Sequence, residues 1–327
     1  MSLAVVNRPL SVALVGFGEM GQNHARCLAS MKDVDLVAIV DPDEDRRNLA
    51  AARYECESFS SVSELPEVGA AVVAVPTAQH SDVGCFLMSR GVHCLIEKPL
   101  ALDRAEAELL VDLAESENLT LQVGHIERFN PAVRQLGELL AGEQVLVANA
   151  RRMSAVSGRV IDIDVVMDLM VHDLDVVLNL MGGQVEGVVS QGVRGTNGYD
   201  HATALLSFDG GRMASLTASR ITQNQIRQLE VTTSDGFFIV DYPSQELLIF
   251  RQGRIEGVGG NAAEVRYPLD VDTRRVFVRR SEPLLAELEH FVGTICGRRE
   301  NEATGREALE VLELVWRVQR SLREEIG

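Results

Sequence analysis

The chain has 327 residues, enough for two domains. A hydrophobic fraction of 46% supports a substantial core and argues against disorder. A formal net charge of −17 repels nucleic acid and anionic membrane, so neither is an expected partner.

The first apolar run, Leu10 to Val15, predicts a strand over 11–15. It leads into Gly16-Phe17-Gly18-Glu19-Met20-Gly21 and a helical pattern over 19–31. Strand, glycine turn and helix in that order form a seat for a dinucleotide pyrophosphate. Gly16 allows the tight turn, Gly18 lets the backbone approach the phosphates, and Gly21 lets helix and strand pack closely. The free N–H groups at the helix start face the anion. A second strand, 35–40, ends in Asp41-Pro42. An acidic residue there hydrogen-bonds an adenosine ribose and repels a 2′-phosphate, so NAD is expected over NADP. Arg46 and Arg47 follow closely and soften that preference. The plainer alternative is a ligand-free glycine turn, with Asp41 starting a turn before Pro42.

Helices at 43–53, 79–90 and 103–117 alternate with strands at 70–75, 92–96 and 119–123. Ala70-Ala71-Val72-Val73-Ala74-Val75 is a continuous apolar run, as in strands buried on both faces of a parallel sheet. A doubly wound α/β domain over 1–124 follows, with its ligand beyond the carboxyl ends of the strands. Val75-Pro76-Thr77 with His80 ends one strand and is placed to line the cofactor. Glu97-Lys98-Pro99 ends the next. Beside a positive nicotinamide the ammonium of Lys98 is disfavoured, and a neutral amine takes a hydroxyl proton as hydride leaves the same carbon. The competing reading is a surface lysine paired with Glu97.

After residue 124 the pattern changes. Gly124-His125-Ile126-Glu127-Arg128-Phe129-Asn130-Pro131 gathers His125, Glu127, Arg128 and Asn130 at the domain junction, where ligands tend to bind. Alternatively it is a polar linker whose Asn130 caps the next helix. A strand at 144–153 carries Arg151 and Arg152. A helix at 166–181 carries Asp168 and His172, four apart and on one face, before the Gly182-Gly183 stop. His172 can relay a proton near neutral pH. Strands at 185–193, 201–208, 212–221, 226–233, 236–241 and 246–251 read as an antiparallel meander. Residues 254–273 look irregular, Arg274, Arg275, Arg279 and Arg280 form a basic cluster, and helices at 282–297 and 304–325 close the chain. The expected second domain, 125–327, is α+β: an open, mostly antiparallel sheet with helices on one face and the other face free for a homodimer or homotetramer contact.

Five scattered cysteines with no CxxC pair suit a reducing cytoplasm and no structural zinc. No metal is expected at Asp168 and His172 either, because no nearby ligand completes a set. No secretory signal or membrane-length apolar run is evident.

Four landmarks then stand in order: the Gly16–Gly21 turn, Val75-Pro76-Thr77 with His80, Glu97-Lys98-Pro99, and Asp168-Leu169-Met170-Val171-His172-Asp173-Leu174-Asp175. In this combination the chain resembles the Gfo/Idh/MocA family of sugar and polyol dehydrogenases over nearly its whole length. The resemblance implies a Rossmann domain that binds NAD through Gly16, Phe17, Gly18, Met20, Gly21, Asp41, Pro42, Val75, Pro76, His80, Glu97 and Lys98. It implies catalysis by Lys98, His172 and Asp168, and a cis bond before Pro99. The segment from Gly124 to Pro131 resembles the branch that oxidises UDP-N-acetylglucosamine at C3 and supplies the keto sugar to an aminotransferase. It implies substrate contacts from His125, Glu127, Arg128, Asn130, Arg152, Asp168 and His172. The alternatives are a dehydrogenase of a free sugar or inositol-like polyol, and a non-catalytic NAD-binding regulator.

Overall fold

A computed structural model describes residues 9–155, 163–196, 198–252 and 271–324. By its own contacts the chain forms two compact units, Met1–Phe129 with Glu282–Glu313, and Asn130–Ser281 with Leu314–Gly327.

The first unit alternates strand and helix: β1 Leu10–Val15, α1 Glu19–Ser30, β2 Val34–Val40, α2 Glu44–Tyr54, β3 Glu57–Phe59, β4 Ala70–Val73, α3 His80–Met88, β5 His93–Ile96, α4 Arg104–Ser116 and β6 Leu121–Val123. The strands form one parallel sheet in the order β3-β2-β1-β4-β5-β6. Apolar residues from its centre, including Val12, Leu14, Val72 and Leu95, are fully buried. Strand order reverses between β1 and β4, which opens a crevice beyond their carboxyl ends. Short β3 lacks a continuous apolar run and is absent from the sequence reading.

The expected division after residue 124 differs from these units. Helix α7, Pro283–Ile295 (numbered after α5 and α6 below), returns to the first one. Leu284, Leu288, Phe291 and Val292 on its apolar face join the core made by Val12, Leu14 and Phe17. Periodicity announces an amphipathic helix but not which sheet it covers.

The second unit holds α5 Pro131–Leu139, β7 Val147–Met153, α6 Val171–Met181, β8 Val185–Gly195, β9 Gly198–Phe208, β10 Met213–Ser219, β11 Ile226–Thr232, β12 Phe237–Asp241, β13 Glu246–Gln252 and β14 Val271–Val276. The last helix, α8 Gly305–Glu324, contributes its end. Eight strands run in the order β14-β13-β12-β11-β7-β10-β9-β8. The expected meander is therefore interrupted: β7 enters between β11 and β10 and runs parallel to β10. Of the expected loop, 254–270 lies outside the described residues, while 271–273 belongs to β14, which pairs with β13. The charge of Val271-Asp272-Thr273-Arg274-Arg275-Val276 conceals an edge strand, where charge is favoured.

On one sheet face Ala204, Leu206, Leu216, Leu229 and Val231 are buried. Helices α5 and α6 pack there, and the end of α8 is tied to the same sheet where Ser190 Oγ donates to the Val318 carbonyl and Tyr199 Oη to that of Leu322. The opposite face carries Val189, Val193 and Leu205, which are 59, 54 and 44% exposed.

Candidate functional site

The glycine turn has the geometry its three glycines require. Gly16 sits at φ +96°, and a Cβ there would lie 2.5 Å from the Ala74 carbonyl oxygen. A Cβ on Gly21 would overlap the Gly16 carbonyl, so this glycine lets α1 lie against the strand end. A Cβ on Gly18 would meet nothing within 4 Å. That open side lies at the start of α1, the kind of helix end that suits an anion. Phe17 turns inward, packing edge-on against Tyr54 with ring centroids 6.1 Å apart, and leaves the turn clear. Met20 is partly exposed beside it.

Asp41, at the end of β2, is buried. Its Oδ2 accepts the Phe17 N–H at 2.7 Å and its Oδ1 the Asp43 N–H at 2.9 Å. The carboxylate thus fixes the glycine turn and also starts the turn through Pro42, as the plainer reading expects. Each oxygen keeps a further lone pair for a ribose hydroxyl. Arg46 lies 3.6 Å from Asp41 Oδ2, and Arg47 donates to the Asp41 and Pro42 carbonyls.

Val75 and Pro76 follow β4, and Glu97-Lys98-Pro99 follows β5. The Lys98–Pro99 peptide is cis. His80, at the start of α3, is buried with Nδ1 2.9 Å from the Pro99 carbonyl and Nε2 3.0 Å from that of Val75. Burial holds its pKa below the usual histidine value, against the opposing pull of those carbonyls and Glu97. Glu97 Oε1 accepts from His24 Nε2 at 2.8 Å, and Glu97 Oε2 accepts the Lys98 backbone N–H at 3.1 Å. Burial pushes the Glu97 carboxyl up, but the hydrogen bond and charge of His24, then the charge and N–H of Lys98, outweigh it and hold it below the ordinary range. His24 lies outside the motifs that mark the site in the sequence. Its signal was a polar residue on the buried face of α1 among Gly21, Ala25 and Leu28.

In the second unit, residues 166–170 form a π-helical turn that runs into α6. Such turns concentrate at functional positions. Asp164 caps it, Oδ1 accepting from Val166 and Met167 N–H. Asp168 lies in this turn and His172 in the first turn of α6, both partly exposed. The neighbouring Asp173 forms a buried two-pronged ion pair with Arg152, at 2.9 and 3.0 Å. The Arg152 guanidinium also lies 5.2 Å from the Tyr242 ring centroid. Arg152 therefore ties β7 to α6, a role its sequence position did not reveal.

His125, Glu127 and Arg128 are buried in and before a 3₁₀ turn at 126–129 that ends the first unit. Arg128 Nη1 donates to Glu307 Oε2 at 3.0 Å and to the Glu302 carbonyl. Asn130 Oδ1 accepts the Ala132 N–H, capping α5, and its Nδ2 donates to the Tyr242 carbonyl. The capping alternative for Asn130 holds. In the basic cluster, Arg275 pairs with Glu246, and Arg280 lies 3.7 Å from the same carboxylate. Arg220 is buried against Asp200 at 2.7 Å. Among the described residues no group of three His, Cys, Asp or Glu could hold a metal ion, and no helix is long and apolar enough to cross a membrane.

A glycine turn at a parallel-sheet switch point, a buried acid after β2 and a lysine after β5 define an oxidoreductase with an NAD-binding Rossmann unit. Comparison with known proteins gives the same class. Residues 10–125 match the oxidoreductase family model with an NAD-binding Rossmann fold, and residues 157–239 match the GFO/IDH/MocA C-terminal domain. The chain belongs to the Gfo/Idh/MocA oxidoreductase family. It is 33% identical to a UDP-N-acetylglucosamine 3-dehydrogenase of Acidithiobacillus ferrooxidans, over 89% of this chain and 90% of that one. A solved structure of that organism's UDP-N-acetylglucosamine 3-dehydrogenase matches with a TM-score of 0.87 at 30% identity, covering 98% of this chain and 99% of the other. An inositol 2-dehydrogenase of Rhizobium meliloti is 25% identical over 95% of this chain and 96% of its own length.

Proposed function

We propose that this protein is an NAD-dependent dehydrogenase that oxidises the C3 hydroxyl of UDP-N-acetylglucosamine to a ketone. The observation that carries the reading is Lys98 at the carboxyl end of β5, in a unit whose glycine turn and Asp41 suit a dinucleotide. The 33% identity to a UDP-N-acetylglucosamine 3-dehydrogenase across nine-tenths of both chains supports the choice of sugar. Gly16, Phe17, Gly18, Met20, Gly21, Asp41 and Pro42 hold the cofactor's pyrophosphate and adenosine end, while Val75, Pro76, His80, Glu97 and Lys98 line its nicotinamide end. Asp41 selects NAD over NADP by repelling a 2′-phosphate.

NAD, when bound, supplies the acceptor for the hydride that leaves C3. Lys98 or His172 takes the hydroxyl proton, and Asp168 orients the sugar or the imidazole. His125, Glu127, Arg128, Asn130 and Arg152 are assigned to the substrate region. The keto sugar is a substrate for amination, so an aminotransferase is the expected consumer. All five cysteines are unbridged, in keeping with a cytoplasmic enzyme. The open face of the second sheet, with Val189, Val193 and Leu205, is assigned to contact between copies of this chain.

The test is NADH absorbance with UDP-N-acetylglucosamine, other UDP-sugars, glucose and myo-inositol. A parallel sample contains 2-oxoglutarate as external acceptor, for a cofactor that stays bound. Turnover confined to myo-inositol or glucose would replace this reading with that of a free-polyol dehydrogenase. NAD binding without oxidation of any of them would favour a regulator.

A further inference from the structure

The main chain on both sides of Lys98 is held by a buried imidazole. On the upstream side His24, from α1, holds the Glu97 carboxylate at 2.8 Å, and the other oxygen of that carboxylate accepts the Lys98 N–H at 3.1 Å. Because an ionised carboxylate has no proton to give, His24 Nε2 is the donor. The Glu97 side chain is packed flat against the chain after β6: a Cβ on Gly124 would lie 3.0 Å from Glu97 Oε2. On the downstream side the Pro99 carbonyl lies 2.9 Å from His80 Nδ1, while His80 Nε2 reaches the Val75 carbonyl at 3.0 Å. The neutral His80 ring has one N–H and donates to one of these two carbonyls, that of Pro99 in the tautomer protonated at Nδ1. In that tautomer the end of β5, the start of α3 and the middle of α1 are joined around one residue. Both rings are fully buried; His24 Nε2 and the two His80 nitrogens face protein oxygens, while His24 Nδ1 meets no hydrogen-bond partner among the described residues.

We propose that His24 and His80 are positioning residues that clamp Lys98, His24 acting through Glu97 and His80 through the Pro99 carbonyl. This deepens the dehydrogenase reading and rests on it. An amine on a long side chain reaches one place reproducibly only if its main chain is fixed, and a misplacement near 1 Å costs about a hundredfold in rate. His24 also couples the site to the glycine turn, since α1 carries both.

The test needs a conservative partner for each change. His24→Phe keeps the ring and removes the donor, whereas His24→Gln places an amide nitrogen within reach of Glu97. In the cofactor-free protein, amide exchange at Lys98 should accelerate about tenfold or more in His24→Phe and stay slow in His24→Gln. In turnover with NAD and UDP-N-acetylglucosamine, kcat should fall about tenfold to a hundredfold in His24→Phe, with NAD affinity within about threefold of the parent. His24→Gln should recover most of that loss. Unchanged exchange at Lys98, or a loss that falls wholly on NAD affinity, overturns the clamp. Should His24→Phe fail to fold, Glu97→Gln removes the same charge in the same shape. Amide exchange at Lys98 should then accelerate in Glu97→Gln, and unchanged exchange in that variant overturns the clamp. Lys98→Ala separates the two ideas. If Lys98→Ala turns over normally, the catalytic reading fails. If it is inactive while His24→Phe is fully active with unchanged exchange, the clamp alone fails.

Discussion

Single residues carry the chemistry here, and their neighbours decide what each substitution does. Lys98→Ala should lower turnover by about a hundredfold or more while NAD still binds, as measured by NADH formation beside calorimetry with NAD. Gly16 and Gly18 should respond differently. Alanine at Gly16 meets the Ala74 carbonyl at positive φ, so Gly16→Ala should lower the melting temperature. Alanine at Gly18 touches no protein atom, so Gly18→Ala should keep the melting temperature and weaken NAD binding. The reverse pattern would move the pyrophosphate seat elsewhere. Glu97 binds its proton less readily when folded than when unfolded. Its contribution to stability is therefore complete above the ordinary carboxylate range and is lost as pH falls through the lower, folded value. Glu97→Gln should flatten that part of the acid-denaturation curve, and an unchanged acid limb would show that Glu97 is not responsible. The glycines, Asp41 and Lys98 were legible in the sequence because spacing and strand ends mark them. His24 was not, since nothing in a helix pattern says that a buried histidine will meet a carboxylate 73 positions away.

Elements differ in how openly the sequence declares them. β1, β4 and β5 are buried on both faces and read as continuous apolar runs. β14 is a charged edge, β3 is three residues long, and the insertion of β7 beside β10 depends on pairing between distant segments. The π-helical turn at 166–170 was hidden inside an ordinary amphipathic pattern, although it carries Asp168. Its junction with α6 is tied down by the buried Arg152–Asp173 pair. Arg152→Ala leaves Asp173 charged and buried, so unfolding in urea should show a loss of about 3–5 kcal/mol. A loss below about 1 kcal/mol would mean that water or another cation reaches Asp173.

At the scale of the whole molecule, the chain builds a Rossmann unit, a second unit on an eight-stranded sheet, and an α7 that returns to the first. Composition gave the size and the acidity, and the alternation of elements gave the two architectures. The return of α7 was invisible because its apolar face would suit either sheet. The exposed apolar face of the second sheet belongs to this scale too. Light scattering should give a mass of two or four chains, and Leu205→Glu should reduce it; a monomer in both would assign that face to another use. The central claim is that Lys98 serves the oxidation of a nucleotide sugar by NAD. Its most direct test is NADH formation from UDP-N-acetylglucosamine by the parent protein and by Lys98→Ala, side by side. The parent should form NADH and a 3-keto sugar, and the variant almost none. Equal NADH from both, or none from the parent with this sugar and steady oxidation of myo-inositol, would contradict it.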